Sequence, residues 1–438
     1  MAAANYYEAA RSTNVSPEDA ALIARRKKVL GPAYRLFYEN PVHIVRGAGV
    51  WLYGPHGEAY LDVYNNVACV GHSNPHVVDA IARQAAILNT HTRYLTEGVL
   101  AYAERLLATF PHDLSQVMFA CTGSEANDLA VRVAKAYTGG TGFIVTSLAY
   151  HGTTEAIATM SPSLGQHVKL NEHVRTVPAP DTYRTAPEAI GKVFAAHVRA
   201  ALADMKANGI KPAALLADML FTSDGVYPDP KGFLGEAVAA VREAGGILIA
   251  DEVQSGFARS GDAMWGFLRH GLDPELVTMG KPIGNGHPIS AMVGRPGVVD
   301  AFARTSRYFN TFAGNPVSCA AGMAVLDVLT EQKLLENARD VGAYLKAGIA
   351  GLAEKHAVIG DVRGAGLFLG VELVNDRKTK DPASEACTRV VNGLREKRVL
   401  ISSTGPDVNI LKIRPPLVFS RANADQFLSA LDDVLSTL

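Results

Sequence analysis

From Gln116 onward, short continuous apolar runs alternate with longer stretches in which apolar residues recur every three or four positions. The runs are Gln116–Ala120, Gly142–Ser147, Ala213–Leu216, Gly246–Ala250, Leu276–Met279 and Ile289–Gly294. Runs this short and this apolar read as strands buried on both faces. The periodic stretches Ser124–Tyr137, Ala189–Asn208, Phe233–Ala244 and Ala313–Leu329 read as amphipathic helices. Together they predict a largely parallel sheet covered by helices on both sides, an α/β arrangement.

The flanks differ. Upstream, a helix is predicted to start at Ser16-Pro17-Glu18, with proline in its first turn. Short strands are expected around Val42–Val45 and Val50–Tyr53, a turn at Gly57 leads to Ala59–Asp62, and helical periodicity covers His76–Leu88 and Gly98–Thr109. Downstream, helices are predicted at Glu331–Glu354, Ala383–Lys397 and Ala422–Leu438, with strands at Val358–Arg363, Leu367–Val374 and Ile410–Ile413. We expect residues 65–320 to form a large domain, and residues 1–64 and 321–438 to pack together as a smaller, discontinuous α+β domain. The Pro178–Pro187 stretch reads as a surface loop.

Composition narrows the function more than the fold. At 438 residues the chain is too long for one small core. A net charge of −1 gives no electrostatic case for nucleic acid or an anionic membrane as partner. No apolar stretch approaches the roughly 20 residues that span a bilayer, and the N-terminus lacks a basic-then-apolar leader pattern. The four cysteines, Cys69, Cys121, Cys319 and Cys387, form no CxxC pair, so a reducing, cytoplasmic setting is expected.

Candidate chemistry concentrates at the ends of the apolar runs. Asp251 closes Ile247-Leu-Ile-Ala-Asp251, and Lys281 stands on a Gly/Pro-rich turn after Leu276–Met279. A carboxylate at the end of a core strand can hold a pyridine nitrogen protonated, and a lysine can condense with an aldehyde. Pyridoxal phosphate needs both. A lysine in an apolar pocket near other cations is a better nucleophile, because its pKa falls. Gly123 and Ser124 open a helix after a strand, where free N–H groups suit a phosphate, although Ser124 followed by Glu125 is equally an ordinary helix cap. Tyr150 and His151 lie at the end of Gly142–Ser147, where an aromatic ring can stack on a planar ligand. Val253 can press the other face, and Gln254 can donate to a phenolic oxygen. No His/Asp/Glu set has metal-like spacing, so no metal is expected.

The segment Ile249-Ala-Asp251-Glu-Val253-Gln254-Ser-Gly256-Phe-Ala-Arg259-Ser-Gly261, with Val277-Thr-Met-Gly280-Lys281, resembles the signature of the class III aminotransferase family of pyridoxal-phosphate enzymes. The likeness runs from Tyr60-Leu61-Asp62 to Lys412-Ile-Arg414-Pro415-Pro416. It implies a pyridoxal-phosphate-dependent transferase of fold type I, with a mostly parallel seven-stranded sheet and a smaller discontinuous α+β domain. It also implies that Lys281 carries pyridoxal 5'-phosphate and shuttles a proton, that Asp251 pairs with the ring nitrogen, and that Tyr150 and Val253 sandwich the ring. Gln254 is then expected at the phenolic oxygen and Gly123 and Ser124 at the phosphate. Thr311 is expected to reach the phosphate of the neighbouring subunit, which implies a homodimer or a dimer of dimers with shared active sites.

The same resemblance gives Arg414 the task of receiving a substrate carboxylate. Relatives often place a glutamate opposite that arginine as a switch partner. The matching position here is Asp218, one methylene shorter, and the usual Pro and Gln nearby are Met219 and Phe221. The segments Asn65-Asn66-Val-Ala, Ala179-Pro180-Asp181-Thr182-Tyr183-Arg184 and Gly280-Lys281-Pro282-Ile-Gly284-Asn285-Gly286-His287-Pro288 look like the subgroup holding ethanolamine-phosphate and phosphohydroxylysine phospho-lyases. Arg93, His72 and Tyr34 are candidates for a substrate phosphate. The expected activity is transfer of an amino group from a terminal amine or amino acid to a keto acid. The alternative is a phospho-lyase acting on phosphoethanolamine or a similar O-phosphorylated amino alcohol.

Overall fold

The computed structural model describes residues 6–438. Its centre is a seven-stranded sheet in the order Gln116–Ala120, Ser290–Gly294, Leu276–Met279, Ile247–Asp251, Pro212–Asp218, Gly142–Thr146, Val174–Val177. The last five of these strands run parallel, and Ser290–Gly294 runs antiparallel to both of its neighbours. Every residue of Gly142–Thr146, Ile247–Asp251, Leu276–Met279 and Ser290–Gly294 is buried, as continuous apolar strands require. Helices Gly123–Thr138, Ile190–Ala207 and Gly235–Glu243 pack against the sheet or against each other.

The seventh strand, Val174–Val177, had no counterpart among the apolar runs. It is an edge strand in which a half-buried Arg175 and an exposed Thr176 stand between two buried valines, so it lacks a continuous apolar signal. No strand forms at Val42–Val45. The hairpin instead pairs Arg46–Ala48 with Trp51–Tyr53 around Gly49, whose φ of +58° closes the turn. The helix expected over Glu331–Glu354 forms, but starts three residues later, at Leu334. Pro316–Glu331 ends first, Lys333 turns the chain at φ +50°, and Leu334–Lys355 follows.

Two smaller sheets flank the large one. The first joins Arg46–Ala48, Trp51–Tyr53 and Ala59–Asp62 to Val399–Leu400, which pairs in parallel with Ala59–Asp62 and so ties the two ends of the chain together. The second is ordered Ile359–Ala365, Phe368–Asp376, Ile410–Ile413, Ser402–Thr404, with Asp381–Pro382 beside Phe368–Asp376. The loop after Val174–Val177 is clamped to this second sheet. Arg184 reaches the buried Glu372 at 2.8 Å, and Glu372 also meets Arg363 at 2.8 Å. Arg363 in turn donates to the carbonyls of Gly225 and Val226, in the loop that follows Asp218. No helix among the described residues is long and apolar enough to cross a membrane.

Candidate active site

Parallel strands end together, and here that places three side chains in a row. Register sets Asp218 beside Asp251 and Asp251 beside Thr278. Asp251 is buried, and its carboxylate is saturated from one side. Oδ2 accepts from His151 Nδ1 at 2.7 Å and from Asn127 Nδ2 at 2.9 Å, while Oδ1 accepts from the Val253 N–H at 3.0 Å. An acceptor-only carboxylate fixes the imidazole proton on Nδ1. Asn127, fully buried on Gly123–Thr138, also donates to the His151 carbonyl at 2.8 Å and accepts from Thr278 Oγ1 at 2.6 Å. Asn127 and Thr278 were not among the sequence candidates. Both lie inside quoted segments, but their role depends on contacts between distant elements.

Lys281 follows Leu276–Met279 after one glycine and sits at φ +35°, an uncommon conformation for a side-chain-bearing residue. Gly280 lets this turn pack on Gly123, since a Cβ there would lie 3.2 Å from the Gly123 backbone. Burial, aided by the Arg414 charge and opposed by Asp251 and Asp218, pushes the Lys281 amine down to about 8. Its Nζ lies 6.0 Å from the centre of the Tyr150 ring. Lys281, Asp251, Tyr150, His151, Val253 and Gln254 line one cavity together with Gly123, Ser124 and Gly152. Asp218 lines it as well.

The helix cap differs from the expectation. Thr122, not Ser124, is the N-cap, and Thr122 and Glu125 form a reciprocal capping box. That frees Ser124 to face the cavity, where its Oγ accepts from the Thr153 N–H at 3.0 Å and keeps its own proton to donate. Gly152, at φ +139°, allows this approach, because a Cβ would fall 2.5 Å from Ser124 Oγ. The Gly123 and Ser124 N–H groups open the helix, where no preceding turn offers an acceptor. Phosphate donors, a carboxylate for a basic ring nitrogen and an amine, all lining one cavity, fit pyridoxal phosphate.

Toward the substrate side, Arg414 lines a second cavity of about 330 Å³ that also includes Lys281, Tyr64, Asn65 and Asn66. Its guanidinium donates to Gln254 Oε1 and lies 4.4 Å from the Tyr64 ring centre, and its Nε is buried without a partner. Asp218 is not paired with it. The Asp218 carboxylate accepts from the Leu220 and Thr222 N–H groups at 3.0 Å each, and from the Thr222 hydroxyl. Gln254 Nε2 donates to Thr222 Oγ1, so a chain of neutral groups, Gln254 and Thr222, stands between arginine and aspartate.

The remaining candidates line neither cavity of their own chain. His72 Nε2 is bound to Asp62 Oδ2 at 2.6 Å and lines neither cavity. Arg93 is exposed and stacks on Phe309 at 3.7 Å. Tyr34 is exposed, in a groove with Tyr7 and Arg35. Thr311 is exposed and does not line the cavity of its own chain.

Comparison with known proteins agrees with this geometry. Residues 36–435 match the aminotransferase class-III family. An alanine–glyoxylate aminotransferase 2-like protein of Drosophila melanogaster is 40% identical over 430 residues, covering 95% of this chain and 87% of that protein. An ethanolamine-phosphate phospho-lyase homologue of Caenorhabditis elegans is 37% identical, covering 95% of this chain and 93% of that protein. Among solved structures, a phospholyase from Arthrobacter in complex with phosphoethanolamine superimposes with a TM-score of 0.92 at 44% identity, over 95% of this chain and 100% of that one. A Bacillus anthracis aminotransferase gives 0.87 at 26% identity, over 97% of this chain and 100% of that one. The chain therefore belongs to the class-III aminotransferase family and is an enzyme whose cofactor is pyridoxal 5'-phosphate.

Proposed function

We propose that the enzyme moves an amino group from a small terminal amine carrying an anionic group to a keto acid, in the cavity shared by Lys281 and Asp251. The observation that carries this reading is their convergence: a depressed buried amine and a buried carboxylate, at the ends of adjacent strands, share one cavity with a helix N-terminus. Pyridoxal phosphate, when bound there, supplies an electron-accepting ring. Gly123 and Ser124 hold its phosphate, Tyr150 and Val253 flank its ring, and Asp251, backed by His151, keeps a proton on the ring nitrogen. Gln254 has one amide N–H left for the phenolic oxygen. Lys281 would hold the cofactor's aldehyde carbon through its amine and would move the proton at the substrate's amine-bearing carbon. Arg414 receives the substrate's anionic group.

We also infer a homodimer, or a dimer of dimers, in which Thr311 of one subunit completes the phosphate site of the other. Exposed apolar side chains support it. Leu95 is 97% and Phe312 71% exposed, and Arg93, His91 and Tyr94 pack with Phe309 and one another to bring the two segments together. The four free cysteines support a cytoplasmic location.

The test is a panel of terminal amines added to the enzyme without acceptor, followed by pyruvate or 2-oxoglutarate. Amino transfer converts the cofactor's visible absorbance on the first addition and restores it on the second. An unchanged spectrum with every amine refutes it. A second reading, loss of phosphate from the β-carbon of an O-phosphorylated amino alcohol, is favoured by the 44% identity to the Arthrobacter phospholyase. Phosphoethanolamine supplied without a keto acid discriminates, because only the lyase then releases phosphate, ammonia and an aldehyde turnover after turnover.

A further inference from the structure

We propose that Asp224, which lines neither cavity, is a positioning residue for the reaction. Its carboxylate holds the turn that leads to Tyr150, and so sets where the Tyr150 ring stands beside Lys281. This rests on the reading that Tyr150 flanks the cofactor ring, and it adds what keeps that ring in place.

Gly142–Thr146 is followed by a turn at Ser147 and Leu148, and then by Ala149, Tyr150 and His151. Each backbone N–H of such a turn needs an acceptor. Ser147 donates to the Val177 carbonyl at 2.9 Å and Ala149 to the Thr146 carbonyl at 3.1 Å. His151 donates to Ser161 Oγ at 3.0 Å. The Leu148 N–H turns to a side chain from another part of the chain. Asp224 Oδ1, 76 residues away in sequence, accepts it at 3.1 Å. Asp224 Oδ2 accepts from Thr146 Oγ1 at 2.7 Å. Both hydrogen bonds of this buried carboxylate therefore go to one turn, two residues before Tyr150. Tyr150 is 38% exposed, so packing alone does not fix its ring, whose centre lies 6.0 Å from Lys281 Nζ.

The far end of this hold is stiff. Asp224 lies in the loop that follows Asp218, and its neighbour Gly225 gives its carbonyl to Arg363 Nε at 3.0 Å and Nη2 at 2.8 Å. Arg363 is buried and paired with Asp361 at 2.7 Å and Glu372 at 2.8 Å. Gly225 is packed so closely that a Cβ would lie 2.8 Å from the Tyr227 hydroxyl. Thr404 Oγ1 ties down the preceding residues, donating to the Thr222 and Ser223 carbonyls at 3.0 and 3.1 Å. Burial, with a smaller push from Asp218, raises the Asp224 carboxyl to about 6, while Thr146, Leu148 and His151 hold it down. It is therefore charged at neutral pH, and a charged acceptor grips an N–H more strongly than a neutral one.

The experiment uses the holoenzyme and reads the circular dichroism of its visible cofactor band, which reports the asymmetric surroundings of the ring, alongside Tm. Asp224→Ala strands the Leu148 N–H. It is expected to cut the visible signal by about half or more and to speed cofactor loss about tenfold, the scale of one charge-assisted hydrogen bond. Asp224→Asn offers an oxygen to Leu148 and an amide N–H to Thr146 Oγ1, and should restore the signal. With a reactive amine, Asp224→Ala should lower kcat about tenfold and leave KM within about threefold, because ring orientation rather than amine binding is disturbed. Gly342→Ala, a packing fault in Leu334–Lys355, is the control for lost stability and should lower Tm without changing the signal. If Asp224→Ala does not fold, Thr146→Val removes one of the two bonds and should lower the signal in the same direction. An unchanged signal in Asp224→Ala, or in Thr146→Val where it stands in, overturns the positioning role, as does an equal loss in Gly342→Ala. Tyr150→Leu separates the two readings. A Tyr150→Leu signal equal to the parent overturns the placement of the ring and the role of Asp224 with it, whereas a changed one beside an unchanged Asp224→Ala overturns the role of Asp224 alone. If the signals move as expected while no amine reacts, amino transfer fails and the role of Asp224 stands.

Discussion

Asp251 and Lys281 act through what surrounds them. Asn127 gives Asp251 a hydrogen bond that no other side chain supplies from that direction, and Thr278 locks the Asn127 amide so that its NH₂ faces the carboxylate. Replacing Asn127 by leucine removes that donor and strands the Thr278 hydroxyl. Affinity of the apoenzyme for pyridoxal phosphate is expected to fall by about 10- to 100-fold, the range for a lost hydrogen bond to a charged group. Absorbance titration of the apoenzyme measures it, and an unchanged affinity would show that Asp251 needs no such support. For Lys281 the neutral amine is the reactive form. With its pKa pushed down to about 8, the rate of cofactor capture should rise about tenfold per pH unit below that value and level off above it. A rate still climbing at pH 10, where an ordinary lysine titrates, would contradict the depressed amine. Lys281→Ala should abolish covalent capture at every pH.

The elements succeed where local chemistry and packing agree. Six strands of the large sheet were legible because each is a continuous apolar run. Val174–Val177 was not, because this edge strand interrupts its two valines with the polar Arg175 and Thr176. The Thr122-Gly-Ser-Glu125 capping box was present in the sequence, but Ser124 offered a competing cap one turn position away, and only the hydrogen bonds decide. Packing also overrides helix propensity. Gly342 lies inside Leu334–Lys355, where alanine alone would favour the helix by about 1 kcal/mol. A Cβ there would meet the Gly366 carbonyl oxygen at 2.1 Å, backbone that cannot step aside. Gly342→Ala is therefore expected to destabilise by about 1–3 kcal/mol, seen as a lowered Tm, because overpacking outweighs propensity. A raised Tm would mean that the helix and the Gly364–Gly366 turn separate freely.

At the scale of the whole molecule, the apolar residues around Leu95 and Phe312 find no cover within one chain. A charge placed at Leu95, as in Leu95→Glu, should shift the protein from dimer to monomer in light scattering. On the proposed dimer, activity should fall with it, because the proposed contact of Thr311 with the neighbouring phosphate site would be lost. A monomer of full activity would separate assembly from catalysis. The Arg184–Glu372–Arg363 clamp works at the same scale. It joins the loop after Val174–Val177 to the C-terminal sheet and, through the Gly225 and Val226 carbonyls, to the loop that follows Asp218.

The sequence by itself determined the layered α/β order, the aspartate at a strand end and the lysine on its turn, because burial patterns and turn chemistry are local. It also named Gly123, Tyr150 and Val253, which follow strands in the chain and so gather wherever parallel strands end. Only the tertiary structure decided that Arg414 meets Gln254 instead of Asp218, that Asn127 and Thr278 buttress Asp251, and that His72 bonds Asp62 while Arg93 and Tyr34 are exposed. Those outcomes depend on strand register and on contacts between side chains more than a hundred residues apart, as in Asn127 with Asp251 and Arg414 with Gln254. No local pattern encodes them.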